Sequence, residues 1–342
     1  MIFMSKKLFV IAYFGLFLLI SCQRAGTSGP SYIRQQGTVQ GTTFSIIYES
    51  PSGEDFSKEI NAWLSEFDRS LSIYDPNSLI SRLNRNDSTA IPDAWFLEVF
   101  AKSKAIWEAS DGLFDLTVAP LVNAWGFGPD PRKTVDSTQI DSLLVFVGMD
   151  KTDIQDGRLI KEDPRIRLDM NAIAQGYSVD LISRFLENKG VNHYLVEIGG
   201  EIRAKGLSDK ARPWRIGIDR PSDGNVLPGM DLEAVLELKD RSLATSGNYR
   251  KFFIENGIKY SHTIHPKTGY PVRHNLLSVT ILAGDCMTAD AWATACMASG
   301  LEKSKSLLSK HPELDAFMVY SDEQGNYREF FTPGLESSLI RE

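Results

Sequence analysis

Hydrophobic residues along the first part of the chain recur at two periods, one typical of strands and one typical of helices. Residues 37–48 mix Thr, Val, Ile and aromatic residues in a strand-like pattern. In residues 56–71 the apolar side chains from Ile60 to Leu71 are spaced three and four apart, which predicts a helix. Residues 93–109 show a second helical face. Strands and helices are therefore expected to alternate from the start of the folded region.

The second half of the chain contains short strand patterns in close order. A helix is predicted from about Ala174 to Asn188, with Gly190 as the residue that ends it. The strand candidates that follow are Tyr194–Ile198, Trp214–Ile218, Leu232–Leu238, Lys251–Ile254 and Leu277–Ala283. Dense short strands with little helix between them favour antiparallel pairing. The predicted fold class is α+β, with a mixed or antiparallel sheet and packed helices.

The first residues have the pattern of an export signal. Two lysines, Lys6 and Lys7, precede the apolar run of residues 8–20 and the pair Ser21-Cys22. The run is shorter than the ~20 residues of a transmembrane helix, and its end resembles the lipobox of bacterial lipoproteins. Residues 1–22 are therefore predicted to be a lipoprotein signal, with Cys22 as the lipidated residue. The alternative is an ordinary signal peptide or an uncleaved anchor.

Composition limits what the remaining chain can be. Residues 23–31 contain Gly, Ser and Pro without periodicity and are expected to form a flexible tether, followed by one globular domain over residues 32–342. A net charge of -7 without a Lys/Arg block argues against nucleic acid as a partner. Cys286 and Cys296 are too few for a disulfide framework and are expected to be core residues.

One Ala-rich segment, residues 286–300, carries a carboxylate and a hydroxyl four positions apart. On a helix Asp290 and Thr294 stack on one face, and Asp285 or Thr288 is a suitable N-cap. Two hard oxygen donors one turn apart suit Mg²⁺. The alternative is that Asp290 caps or salt-bridges its own helix and Thr294 bonds back to a helix carbonyl.

Three further segments contain candidate site residues. Asp169 ends a strand pattern before a tight connection, and Gly176 would let another group approach the backbone. His262 lies in a stiff Pro- and Gly-containing loop that would hold it near the helix of Asp290, or it bonds only to backbone. Tyr74 and Asp115 lie among aromatic and turn residues, where an aromatic ring can stack on a planar ligand or simply join the core.

The order of the segments is informative as a whole. They are GTTFSI, LSIYDPNSLISRLN, DGLFDLTVAPLVNAWGFGP, RLDMNAIAQGYSVD, VEIGGEIRAKG, ATSGNYRKFF, SHTIHPKTGYPV and TADAWATACMASG. In this order they resemble the ApbE-type flavin transferases, the FAD:protein FMN transferase family, over about residues 37–300. The resemblance implies a T-fold-like α+β architecture.

The resemblance also implies roles for individual residues. Asp290, Thr294 and the backbone carbonyl of Ala172 match the magnesium ligands of the family. The positions that match its FAD-binding residues are Gln40, Tyr74, Leu113, Phe114, Asp115, Asp169, Gln175 and Ile264. Gln40 stands where relatives often have Met, Gln175 where Lys or Glu is frequent, and His265 where an Asp is usual. The turn at residues 199–201 and residues 246–249 are assigned only to the cleft wall.

The implied reaction is Mg²⁺-dependent transfer of FMN from FAD to a threonine hydroxyl of an acceptor protein, such as a redox-pump subunit, with release of AMP. His262 is the candidate general base. A Mg²⁺-dependent FAD pyrophosphatase and a non-catalytic flavin-binding lipoprotein are the alternatives. The expected location is the cell envelope, with the protein anchored in a membrane through Cys22 and facing the periplasm.

Overall fold

The computed structural model describes residues 31–129, 135–222, 224–225, 229–249, 251–255 and 257–340. The predicted signal, with Cys22, and the predicted tether as far as residue 30 lie outside the described residues. Ser31, assigned to the tether, is instead the first residue of a strand. Within the described ranges no helix has both the length and the apolar character needed to cross a membrane.

Helices and strands alternate along the described chain. The α-helices are α1 (Ser57–Leu71), α2 (Leu79–Asn84), α3 (Ala94–Ala109), α4 (Ala119–Ala124), α5 (Ser137–Leu144), α6 (Ala174–Asn188), α7 (Cys286–Ser299) and α8 (Leu301–Leu308). Short 3₁₀ helices occur at Leu116–Val118, Met149–Lys151 and Pro333–Leu335. The strands from β1 to β8 are Ser31–Val39, Thr42–Ser50, Thr152–Gln155, Arg158–Lys161, Tyr194–Ile198, Glu201–Lys205, Trp214–Asp219 and Leu232–Leu238. Those from β9 to β15 are Arg241–Gly247, Phe252–Glu255, Ile258–Ser261, Leu276–Ala283, Asp315–Ser321, Tyr327–Phe331 and Leu339–Ile340.

The largest sheet has eight strands in the order β1-β2-β5-β6-β9-β12-β13-β14. Every neighbouring pair in it is antiparallel. It is an open sheet with β1 and β14 at its edges. The predicted α+β class with antiparallel pairing is confirmed.

The expected single strand over residues 37–48 is wrong, because the chain reverses within it. Val39 pairs with Thr42, and the two residues between them, Gln40 and Gly41, have φ values of 53° and 73°. Two successive left-handed residues form the tight turn that matches the twist of paired strands. Residues 31–50 are therefore a β-hairpin, with Gln40 at its tip.

The molecule has three layers, with the large sheet in the middle. On one face α6 and α7 pack side by side, with α1 against α6 and α3 against α7. Val179 and Ile182 of α6 cluster there with Val196 of β5. On the other face the three-stranded sheet β15-β8-β7 buries residues such as Trp214 and Leu236 against the large sheet. The α6–α7 layer is the one that carries the candidate metal residues.

Candidate active site

The start of α7 is held by two carboxylates. Asp285 is its N-cap, with Oδ1 accepting a hydrogen bond from the backbone N of Thr288 at 2.8 Å, which confirms one of the two expected caps. Asp180 of α6 accepts hydrogen bonds from the backbone N atoms of Cys286 and Met287 at 3.0 Å and 2.8 Å. The N–H groups of a first helical turn have no acceptor within their own helix, and here Asp180 of the neighbouring helix is the acceptor. The first turn of α7 is consequently tied to α6.

Gly176 of α6 lies directly against α7. A Cβ atom at this position would be 2.4 Å from the carbonyl O of Cys286 and 2.8 Å from Cβ of Asp290. Only glycine fits such a close approach without moving a helix. The same contact brings the N–H of Gly176 to Oδ2 of Asp290, a hydrogen bond of 3.0 Å. The expectation that Gly176 allows a close approach is thus confirmed, with α7 as the approaching group.

Asp290 and Thr294 both face away from their own helix. Asp290 is 6% exposed, and burial raises the pKa of its carboxyl to about 7, against the hydrogen bond from Gly176. Oγ1 of Thr294 lies 3.3 Å from Oγ of Ser246 on β9. Neither side chain makes the capping or back-bonding contact of the alternative interpretation within the described residues. Their side-chain oxygens lie on one face of α7, one helical turn apart.

The carbonyl of Ala172 lies in the turn that leads into α6. Ala172 precedes Ile173, the N-cap of α6, so its carbonyl lies outside the hydrogen-bond pattern of the helix. The N–H of Gly176, in the first turn of α6, donates to Asp290, and the N–H of Tyr177 binds the carbonyl of Ile173. Among the described residues no hydrogen bond ends on the Ala172 carbonyl. Its oxygen therefore remains available to a ligand.

Tyr74 and Asp169 are brought together beside this turn. Tyr74 is 61% exposed, and its hydroxyl lies 3.5 Å from Nδ2 of Asn171. Asp169 is buried, accepts a hydrogen bond from the backbone N of Asn171 at 2.8 Å, and has its pKa raised to about 6 by that burial. The charge of Asp169 in turn contributes to the raised pKa of Tyr74, behind burial. An exposed aromatic ring beside a buried carboxylate can bind a planar ring with polar edges.

Gln40 and Gln175 are linked through the hydroxyl of Ser178 on α6. Oε1 of Gln40, at the hairpin tip, lies 3.4 Å from the hydroxyl of Ser178, which also binds the carbonyl O of Gln175 at 2.8 Å. The side-chain amide of Gln175 extends over Gly199, where a Cβ atom would be 2.5 Å from its Nε2. The two predicted FAD contacts thus line one edge of the helix layer.

Leu113, Phe114 and Asp115 lie on a loop that the Asp169 segment joins. Leu113 and Phe114 have buried side chains in the core, so the groups they can offer a ligand are on the backbone. Asp115 accepts hydrogen bonds from the backbone N atoms of Thr117 and Met149, and burial raises its pKa to about 6. The N–H of Asp169 binds the carbonyl of Leu116 at 2.8 Å. An open cavity of about 720 Å³ beside this loop is lined by Asp115 and by Trp107, Gly112, Pro266 and Lys267.

His262 belongs to a separate aromatic wall. Its Nδ1 lies 3.2 Å from the carbonyl O of Lys251, and its ring packs edge-on to Phe127. Burial, and then the charge of Lys251, lower its pKa to about 4. Ile264 is buried with Trp125 in the same region. The described contacts of His262 do not include α7, so its closeness to that helix stays a prediction.

The charge of Lys251 acts on three buried groups around the cleft. Burial raises the pKa values of Asp169 and Glu201, and the ammonium group of Lys251 offsets part of that rise, while at His262 it adds to the lowering of the pKa by burial. One exposed ammonium group therefore acts on residues from three different parts of the chain. The sequence pattern assigned Lys251 only to a strand and Glu201 only to the cleft wall. The sequence feature that could have singled out Glu201 is its position as a charged residue directly after the Gly199-Gly200 pair.

The donor atoms fit magnesium. They are a carboxylate, a hydroxyl and a backbone carbonyl, the hard oxygen ligands that Mg²⁺ takes. Within the described ranges no group of three or more His, Cys, Asp or Glu side chains is placed to hold a metal ion. The set therefore lacks the imidazole and thiolate ligands typical of zinc or copper sites.

Comparisons with known proteins agree with this geometry. The sequence model of the ApbE family matches residues 40–318. The FAD:protein FMN transferase of Vibrio cholerae is 33% identical over 340 residues, covering 97% of this chain and 99% of that protein. The protein of the same name from Haemophilus influenzae is 34% identical over 336 residues, covering 94% and 95%.

Solved structures agree as well. The flavin transferase ApbE from Vibrio cholerae superimposes with a TM-score of 0.81 at 32% identity, covering 90% of this chain and 99% of that one. The apo form of Pseudomonas stutzeri flavinyl transferase ApbE gives a TM-score of 0.80 at 32% identity, covering 90% and 97%. The resemblance inferred from the eight sequence segments is confirmed. The chain belongs to the ApbE family.

Proposed function

We propose that this protein is a Mg²⁺-dependent FAD:protein FMN transferase that attaches FMN to a threonine hydroxyl of an acceptor protein and releases AMP. The observation that carries the proposal is the hydrogen bond from the N–H of Gly176 to Asp290, which ties α7 to the first turn of α6. The carbonyl of Ala172, in the turn just before α6, accepts no hydrogen bond from the described residues. The curated relatives named FAD:protein FMN transferase support the reaction class.

The reaction is a phosphoryl transfer, which depends on positioning and on neutralising charge. The threonine oxygen forms a bond to the FMN-side phosphorus, the pyrophosphate P–O bond breaks, and AMP leaves with the bridging oxygen. Asp290, Thr294 and the Ala172 carbonyl would hold Mg²⁺, which supplies charge neutralisation at the phosphates when it is bound. Tyr74 and Asp169 would orient the flavin part of FAD, and their closeness to each other supports this role.

In the proposed reaction His262 would receive the proton of the acceptor hydroxyl. A ring nitrogen can bond to a carbonyl oxygen only as a donor, so the contact with Lys251 assigns the proton of the neutral ring to Nδ1. Nε2 then carries the free lone pair. Because its pKa is lowered to about 4, the ring is neutral at pH 7 and can accept a proton there.

The anchor is part of the same proposal. Lipidation of Cys22 would leave residues 23–30 between the membrane and β1, which begins at Ser31. The acceptor would then be a protein at the membrane surface, and the expected compartment is the periplasmic side of the cell envelope.

The proposal is tested by incubating the purified protein with FAD, Mg²⁺ and a threonine-containing acceptor protein. Mass spectrometry of the acceptor should show covalent FMN, with AMP released in equal amount. Asp290→Asn should lower the rate by more than about 10²-fold, because loss of even a group behind the metal ligands costs about 10–100-fold. The control Asp209→Asn removes an exposed carboxylate paired with Arg34 and should leave the rate unchanged.

Two results would contradict the proposal. Free FMN and AMP without acceptor labelling would assign the site to a pyrophosphatase. Normal transfer by Asp290→Asn at limiting Mg²⁺ would show that the metal site is elsewhere.

A further inference from the structure

Glu201 is a buried carboxylate whose contacts with the rest of the protein do not explain its burial. It is the first residue of β6 and is 7% exposed. Its Oε2 atom has no hydrogen-bond partner within the described residues. Leaving a polar atom unpaired in such a place is costly, so it calls for a partner such as a water molecule or an ion.

The Gly199-Gly200 turn shows where this oxygen points. A Cβ atom on Gly199 would lie 3.0 Å from Oε2 of Glu201 and 2.5 Å from Nε2 of Gln175. Gly199 also has a φ of 70°. The Glu201 side chain therefore reaches over the turn toward the first turn of α6. This is the turn of α6 whose Gly176 N–H binds Asp290.

Glu201 lies near Asp290, because β6 packs against α7. Burial raises its pKa well above the ordinary value, and the next cause is the negative charge of Asp290. Two neighbouring buried carboxylates repel each other unless a positive charge lies between them. No ion pair of Glu201 occurs in the described part of the chain. Lys251, which does act on it, has an exposed side chain.

We propose that Glu201 is a positioning residue of the magnesium site, with Oε2 accepting a hydrogen bond from a water molecule on the Mg²⁺ held by Asp290 and Thr294. The inference rests on the proposed function. Mg²⁺ gives up its water reluctantly and keeps several molecules when it binds protein. Carboxylates behind the direct ligands hold such groups in place and contribute to metal affinity. Glu201 would thus fix the metal from the sheet side while α7 binds it directly.

The experiment measures Mg²⁺ affinity by calorimetric titration of the full-length protein in detergent, with saturating FAD and no acceptor. Glu201→Gln keeps the size of the side chain and removes its charge, and should weaken Mg²⁺ binding by about 10–100-fold. FAD affinity, followed by flavin fluorescence, should be unchanged. Glu201→Asp, which keeps the charge, should restore part of the loss.

Glu197→Gln is the matched control. Glu197 serves the same Gly-Gly turn, but its Oε1 already accepts a hydrogen bond from the N–H of Gly200 at 2.9 Å. A glutamine oxygen can keep that bond, so this variant should bind Mg²⁺ like the parent protein. Thermal unfolding of each variant checks that the fold is intact.

The outcomes separate the two levels of the argument. Unchanged Mg²⁺ affinity in Glu201→Gln, with Asp290→Asn clearly weakened, would overturn the role of Glu201 alone. Unchanged affinity in Asp290→Asn would overturn the metal site and the proposed function with it. A loss in Glu201→Gln as large as that in Asp290→Asn would make Glu201 a direct ligand and overturn the water-mediated role. If neither Glu201→Gln nor Glu201→Asp folds, the Mg²⁺ affinity of Glu201→Ala is compared with that of Asp290→Asn in the same way.

Discussion

At the scale of single residues, His262 shows how its surroundings change an ordinary side chain. A histidine in water has a pKa of ~6.5 and is partly charged near neutral pH. Burial and Lys251 together move the pKa of His262 to about 4. Since the folded pKa lies below the ordinary value, protonating the ring costs stability, and the free energy of unfolding should fall as pH drops from about 6.5 through about 4.

Replacing His262 by Gln should lower the transfer rate by ~10²–10⁴-fold, the usual effect of losing a general base, and leave FAD affinity unchanged. His265→Gln is the control from the same loop, whose Nδ1 only accepts a hydrogen bond from the N–H of Lys267. NMR of histidine-labelled protein, with five histidines in all, should show the His262 ring titrating near pH 4. Equal losses of FAD binding and rate would assign His262 to phosphate binding instead.

The placement of Asp290 and Thr294 on one helix could be predicted from sequence, but their surroundings could not. Asp290 and Thr294 are one helical turn apart, and that spacing alone places them on one face. The hydrogen bond that holds Asp290 against the first turn of α6 joins Gly176 to a residue 114 positions further along the chain, which no local pattern reveals. The unpaired oxygen of Glu201 likewise exists only because the sheet and α6 bury it.

At the scale of elements, the α6–α7 contact organises the site. Asp180 of α6 binds the start of α7 and also forms an ion pair with Arg203 of β6 at 2.8 Å. Gly176 lets the two helices approach until backbone meets backbone. The distance between two helices thus decides where Asp290 lies.

Gly176→Ala should destabilise the protein by about 1–3 kcal/mol, because the added methyl overlaps the carbonyl of Cys286. Mg²⁺ affinity should fall with it, since the shift disturbs the bond that orients Asp290. Denaturant unfolding and Mg²⁺ titration measure the two effects. Gly284→Ala is the control, because no atom lies within 4 Å of a Cβ there and its φ is not in the left-handed range. A Gly176→Ala variant as stable as that control would contradict the close contact.

The predicted helices and the five short strands predicted after residue 190 all agree with the structure to within one residue at each end. The starts and ends of α1, α3, α6 and α7 follow from apolar spacing and capping residues such as Asp93 and Asp285. The hairpin turn was missed because Gln40 is an unusual residue for a positive φ. No strand was expected at β9, whose Ser242 is a polar residue fully buried by its neighbours in the sheet. Such burial is a property of the assembled sheet and leaves no apolar pattern.

At the scale of the whole molecule, the chain combines a rigid three-layer domain with a proposed lipid anchor. Cys22→Ala should prevent acylation and release the protein into the soluble envelope fraction, because one residue carries all the acyl chains. Fractionation of cells with mass spectrometry of the N-terminal peptide measures this. Transfer to a soluble acceptor in vitro should persist, since the site lies in residues well beyond the anchor. A variant still acylated and membrane-bound would refute the lipobox interpretation.

The position of the two remaining cysteines has a consequence for maturation. Cys286 and Cys296 are free, fully buried thiols in α7, and the prediction that they are core residues is confirmed. They are ten residues apart on one straight element, about 15 Å along its axis, whereas a disulfide needs Cα atoms within about 7 Å. The folded domain therefore cannot cross-link internally in an oxidising compartment. If the protein matures in an oxidising envelope compartment, as proposed, α7 keeps both thiols in the reduced form in which the helix folded.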